Sequence, residues 1–120
     1  MWKKVELTGL TPVASLEGAA LDWAVAKCEG LVNEDGLDVG FIRDGAFIPS
    51  TDWLQGGPII ELEGINLRAL SGALWEAETW SAAGGQYLLD GPTPLVAAMR
   101  CYVASKLGNE IELPDELGEK

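Results

Sequence analysis

The strongest periodicity lies near the carboxy terminus. From Pro94 to Leu107, Leu95, Met99 and Tyr102 recur at helical spacing, with Val96 and Val103 alongside. Ala97, Cys101 and Ala104 form a flatter second face, suited to close approach by a helix or a sheet. The same small face suits a homodimer interface. Thr93 offers an oxygen to the free N–H groups of a first turn, Pro94 fits the first helical position, and Gly108 follows the last periodic residue. The pattern predicts a helix over 94–107.

A second helix is expected from about Leu16 to Cys28, with Ser15 as its N-cap, Glu17 in the first turn and Gly30 just past its end. Leu21, Val25 and Cys28 share a stripe that Ala20 and Ala24 widen, while Trp23 points to the side of Leu16. Asp22, Lys27 and Glu29 are its clear polar residues. A helix apolar on so many sides should touch more than one neighbour.

Alternation with period two marks the strands. Val5 and Leu7 alternate with Lys4 and Glu6 until Pro12 breaks the element. Leu37, Val39 and Phe41 alternate as well, and Asp44-Gly45 followed by Ala46-Phe47-Ile48 predicts a hairpin that Pro49 ends. Further strands are expected at Ile65–Arg68, at Tyr87–Leu89 and at Glu110–Leu113, while Trp75–Trp80 fits an exposed-edge strand but its alanine also allows helix. Ala82–Gly85 reads as a loop, and Pro58 as the opening of a short helix closed by Gly64. With no internal repeat or linker, residues 1–120 read as a single α+β domain. Two main helices pack on a small, mostly antiparallel sheet, and 114–120 forms an acidic tail.

Composition narrows the function. No apolar run approaches the ~18 residues of a membrane helix, and no apolar stretch follows Lys3-Lys4 to make a secretory signal, so a cytoplasmic protein is expected. The formal net charge is −11. Such a chain repels nucleic acid and anionic lipid, so neither is expected as a direct partner. The acids concentrate at Glu110, Glu112, Asp115, Glu116 and Glu119. These read as a solvated tail or, more sharply, as a face that imitates a nucleic-acid backbone and occupies a basic host or phage protein.

Histidine is absent, which removes the commonest metal ligand and general base. Cys28 and Cys101 are too few for a zinc site and too far apart for a CxxC pair, so they read as buried small hydrophobes. No Ser or Cys sits in a nucleophile-elbow pattern, and neither Gly56-Gly57 nor Gly84-Gly85 is followed by the lysine of a phosphate loop. The pairs Glu61 with Glu63 and Glu76 with Glu78 could hold magnesium, but resemble a strand or helix surface. No catalytic residue, metal or cofactor is assigned on this basis.

The most unusual stretch is Ser50-Thr51-Asp52-Trp53-Leu54-Gln55-Gly56-Gly57-Pro58. Trp53 offers a stacking face, Asp52 an acceptor for an amine or ribose hydroxyl, and the two glycines a close backbone approach to a ligand. The plainer reading is a capped turn in which Asp52 bonds nearby N–H groups and Trp53 plugs the core. Arg100 emerges from an apolar flank of its helix. It reads either as half of an internal ion pair, with Asp52 a candidate, or as a fork for a ligand anion. Trp23, Trp53 and Trp75 read as core or satellite-cluster residues, because single-strand nucleic-acid binding lacks its positive charge here.

Three segments resemble the NinX-like family of small phage and prophage proteins: Ala19–Gly30, Pro49–Glu61 continuing to Gly64-Ile65, and Gly91–Gly108. With Asn109–Pro114 they cover a bit under half of the chain, and 71–86 reads as an insertion particular to this protein. The resemblance implies an accessory phage protein and carries no reaction or ligand set with it. Small accessory phage proteins often antagonise host defence, by binding an enzyme or by sequestering a nucleotide signal.

The leading expectation is therefore a non-catalytic binding protein for a small anionic or nucleotide-like ligand. Its site would comprise Ser50, Thr51, Asp52, Trp53, Gln55, Gly56, Gly57 and Arg100, with Trp23 nearby. An acidic inhibitor of a basic protein is the first alternative, and a carboxylate–metal enzyme using Asp52 and Glu61 the second.

Overall fold

The computed structural model describes residues 10–32, 42, 44–114 and 117. The strand expected around Val5 and Leu7, the hairpin arm Leu37–Phe41 and most of the acidic tail lie outside the described residues. In chain order the elements are β1 (Leu10–Pro12), a 3-10 turn (Val13–Ser15), α1 (Gly18–Cys28), α2 (Trp53–Glu63), β2 (Asn66–Ala69), β3 (Trp75–Trp80), β4 (Gln86–Gly91), α3 (Pro94–Leu107) and β5 (Glu110–Glu112). This is an α+β arrangement. It has three α-helices among the described residues, where the periodicity resolved two main ones and a short third.

Helix α3 is the axis of the molecule. Thr93 accepts a hydrogen bond from the N–H of Val96 at 3.1 Å, Pro94 occupies the first turn, and Gly108 (φ 95°) ends the helix. Every residue from Leu95 to Ala104 is buried, because one side faces the sheet and another faces α1. Its two apolar faces thus have two partners, which is why no polar stripe runs along it.

The main sheet is antiparallel in the order β2–β3–β4. Leu67, Ala77 and Leu89 stand opposite one another on the face toward the core, where Ala77 is fully buried. Asn66, Glu78 and Leu88 form the matching row on the outer face. β3 is therefore the central strand rather than an exposed edge. Its alternation came from a sheet with one wet face, a pattern that edge and centre share. Gly91 closes β4 where a Cβ would lie 2.9 Å from both the Ala97 nitrogen and Val96 Cγ1, so its lack of a side chain lets the strand end meet α3. A second sheet pairs β1 with β5, joining the two ends of the described chain.

Two expected helix starts move. Ser15 does not cap α1; it lies in the 3-10 turn and donates to the Pro12 carbonyl, and α1 begins at Gly18 after Glu17, which makes no side-chain cap. Pro58 does not open α2; it sits inside the helix. The start is set five residues earlier, where an Asp52 carboxylate oxygen accepts from the Leu54 N–H at 3.1 Å. Gly64, at φ 65°, closes α2 as expected. Nor does Ala46–Ile48 form a strand; these residues lead into a turn in which the N–H groups of Thr51 and Asp52 donate to the Ile48 carbonyl. The tripeptide is followed at once by Pro49, which lacks the N–H a strand ladder needs.

Candidate functional site

The segment 50–58 turns its polar groups inward. The Ser50 N–H donates to the Asp22 carboxylate at 2.9 Å, across 28 residues of sequence. Asp22 is only 4% exposed, and burial raises its pKa while the bond from Ser50 opposes that rise. The Ser50 hydroxyl is buried beside the carboxylate, without a hydrogen-bond partner among the described residues. Gln55 braces the same turn: its carbonyl oxygen accepts from the Ile48 N–H at 2.8 Å, and its amide donates to the Ala46 carbonyl and to Asp52. The plainer reading of Asp52, a cap on nearby N–H groups, is the one observed.

The two glycines belong to α2. The Gly56 N–H donates to the Asp52 carbonyl at 2.9 Å. A Cβ on Gly56 would stand 2.5 Å from the Pro49 carbonyl oxygen and 2.6 Å from Leu95 Cδ2. The Gly56 backbone thus approaches the fold itself, and that N–H is spent within the helix. Thr51 is exposed and lies close to the Ile48 carbonyl. Trp53 is 54% exposed, so it does not plug the core. Trp23, 2% exposed, does, although its indole N–H is buried without a hydrogen-bond partner among the described residues.

Arg100 is 8% exposed and engaged elsewhere. Its Nε donates to the Leu16 carbonyl at 2.8 Å and its Nη1 to the Asp90 carbonyl at 2.7 Å. Among the described residues it pairs with neither Asp52 nor another carboxylate; the ion pairs there are Arg68–Glu76 and Lys106–Glu63. Burial lowers its pKa, while the charges of Glu17 and Asp90 act the other way. Two backbone carbonyls at the lead-in to α1 and the end of β4 are thereby satisfied by one side chain. On α3, Arg100 lies five residues beyond Leu95, which packs against Gly56 of α2. At 3.6 residues per turn the two point about 140° apart. Arg100 bonds Leu16 and Asp90, whereas segment 50–58 bonds Asp22, Ala46 and Ile48.

A polar cluster that the periodicity did not single out joins the ends of the three helices. The Tyr102 hydroxyl donates to the Glu29 carboxylate. Lys106 pairs with Glu63 at 3.1 Å and lies 5.9 Å from the centre of the Tyr102 ring. Cys28 feels the charges of Glu29, Lys106 and Glu63. Burial pushes the thiols of Cys28 and Cys101 up to about 12, and burial followed by Glu29 raises the Tyr102 phenol. Thiol and phenol both stay neutral at pH 7, so the cluster ties helix ends together and holds no ready nucleophile.

What remains outside is apolar and acidic. Among the described residues Leu54 (86% exposed) and Leu62 (83%) are the most exposed large hydrophobes, with Trp53 beside them and Trp80 and Leu88 half-exposed on the outer sheet face. On that face Glu78 accepts from Asn66 and Gln86, and Arg68 pairs with Glu76. Sequence reasoning missed the Leu54–Leu62 pair because it placed the helix start at Pro58. Had Asp52 been read as the cap, the spacing of Leu54, Pro58 and Leu62 would have shown one stripe.

These features define a small α+β domain with an acidic, locally apolar exterior and no helix among the described residues long and apolar enough to cross a membrane. The chain belongs to the Bacteriophage P22 NinX family, whose model matches residues 12–106. The segment 71–86 supplies β3. No curated protein matches the chain.

Proposed function

We propose that this NinX-family chain is a phage-encoded accessory protein that works, without chemistry of its own, by docking on another protein of the host or the phage. Its place of action would be the host cytoplasm. The observation that carries the reading is the exposure of Trp53, Leu54, Leu62, Trp80 and Leu88 in a chain of net charge −11. Large apolar side chains in a polar surround are the usual make-up of a protein-binding surface, and the acid around them selects a basic partner. The small-ligand reading is weaker, because Asp52, Gln55, Gly56 and Arg100 are already bonded or packed within the fold.

Affinity capture from host lysate, run at low and high ionic strength, tests the proposal. A protein retained at low salt and released at high salt is the expected result. An empty or salt-insensitive eluate rejects it. Thermal-shift measurements with cyclic nucleotides and ADP-ribose derivatives should show no change in Tm; a clear rise with any of them would restore the small-ligand reading.

A further inference from the structure

We infer that the outward stripe of α2 is the docking surface, and that its occupant is a protein whose apolar groove is bordered by arginine and lysine. The inference rests on the protein-binding reading above and adds the surface and the partner's chemistry. Leu54, Pro58 and Leu62 recur every four residues and are all exposed, with Trp53 at the head of the stripe. The opposite edge of the helix, Gly56 and Ile59, is buried. The helix is therefore amphipathic in an inverted sense, with large apolar groups directed at water. A row of anchors four residues apart is what a helix presents to a groove. The helix is also held in place before any partner arrives, by the Asp52 cap, the Gln55 brace and the Gly56 contact, so docking orders little.

Charge decides among occupants. Asp52 begins the helix and Glu61 lies on its exposed side, and no Lys or Arg occurs between positions 44 and 67. Lys106, which reaches α2 from α3, is held by Glu63. A second copy would bring another acidic rim and another net charge of −11, with no cation on either helix to pair. A bilayer surface with anionic headgroups is repelled in the same way. A groove lined by apolar residues and rimmed by Arg and Lys satisfies both halves of the surface.

A photoreactive phenylalanine analogue at Pro58, irradiated in bacterial cells carrying the phage, tests this. The expected adduct is with a different protein, its cross-linked peptide lining an apolar groove with Arg or Lys at the border. Binding of that purified partner should weaken at least about tenfold with Leu54→Asp or Leu62→Asp, as for anchor residues. It should also fall with added salt, and be unchanged by Leu31→Asp, an exposed position just past α1. No adduct, an adduct only with a second copy, or a partner without basic residues at the groove overturns the inference. Loss of binding with Trp80→Asp and not with Leu54→Asp overturns it too, while leaving the protein-binding reading standing.

Discussion

Helices α3 and α2 begin alike: a side-chain oxygen, from Thr93 or Asp52, bonds an N–H of the first turn. They then diverge. α3 lies between the sheet and α1, and ten consecutive residues from Leu95 to Ala104 are buried. α2 is as apolar by composition, yet Leu54 and Leu62 face water. Apolar content alone does not say which side of a helix is core. The number of neighbours the topology supplies decides it, and α2 has its neighbours on one side only.

The largest expected effect uses that contrast. Met99 is wholly buried, and Met99→Ala should cost about 3 kcal/mol of unfolding free energy, through lost burial and an incompletely filled cavity. Leu54→Ala should fall within about 0.5 kcal/mol of the parent, as surface substitutions do. Urea denaturation of the two variants provides the measurement. A cost for Leu54→Ala approaching that of Met99→Ala would show that the stripe is packed within the chain, and the comparison would collapse.

Within α2 the same contrast appears between adjacent glycines. An alanine at 56 would press its Cβ against the Pro49 carbonyl and Leu95, both at 2.6 Å or less, so Gly56→Ala should destabilise by about 2 kcal/mol. At 57 the nearest atom is a Trp53 ring carbon at 3.8 Å, ordinary contact. There the helical preference of alanine prevails, and Gly57→Ala should stabilise by about 0.5 kcal/mol. Thermal melts of the two single variants should therefore shift in opposite directions. Equal shifts would mean that the close approach at Gly56 relaxes freely.

How far the fold was legible follows from which forces were local. The span of α3, with Thr93 and Gly108, was readable because caps and periodicity lie within one segment. The closure of α2 by Gly64 and the strand around 87–89 were readable for the same reason, whereas the alanine in 75–80 left helix open as well. The start of α2 was misread because Gly56-Gly57-Pro58 looks like a helix break. What makes glycine suitable there is contact with Pro49 and Leu95, and a contact across the chain leaves no local mark. Asp22 was read as an ordinary polar residue of α1, since its partner Ser50 is 28 residues away. Arg100 was rightly placed on an apolar flank, but its partners are the backbone carbonyls of Leu16 and Asp90, which side-chain patterns do not reveal. The segment 50–58 stands out by composition, and what composition does not show is that its inward half holds α2 in place.

The smallest expected effect isolates the polar tie beneath α2. Asp22 has its pKa raised above 3.8, chiefly by burial. Between the unfolded value and the raised folded value, the folded chain binds more protons than the unfolded one. Its contribution to stability is therefore fully present below 3.8 and is lost as the pH rises through the folded value. Asp22→Asn keeps an oxygen that can accept from the Ser50 N–H but carries no charge to desolvate. The mutual repulsion of the other acids is common to both proteins, so subtracting the two urea-derived stabilities leaves the Asp22 contribution. Parent minus variant should decline across that window and level off above it. A difference that rises with pH would mean that the bond from Ser50 outweighs burial. The inner side of α2 would then be held by a favourable buried charge, rather than by packing that tolerates an unfavourable one.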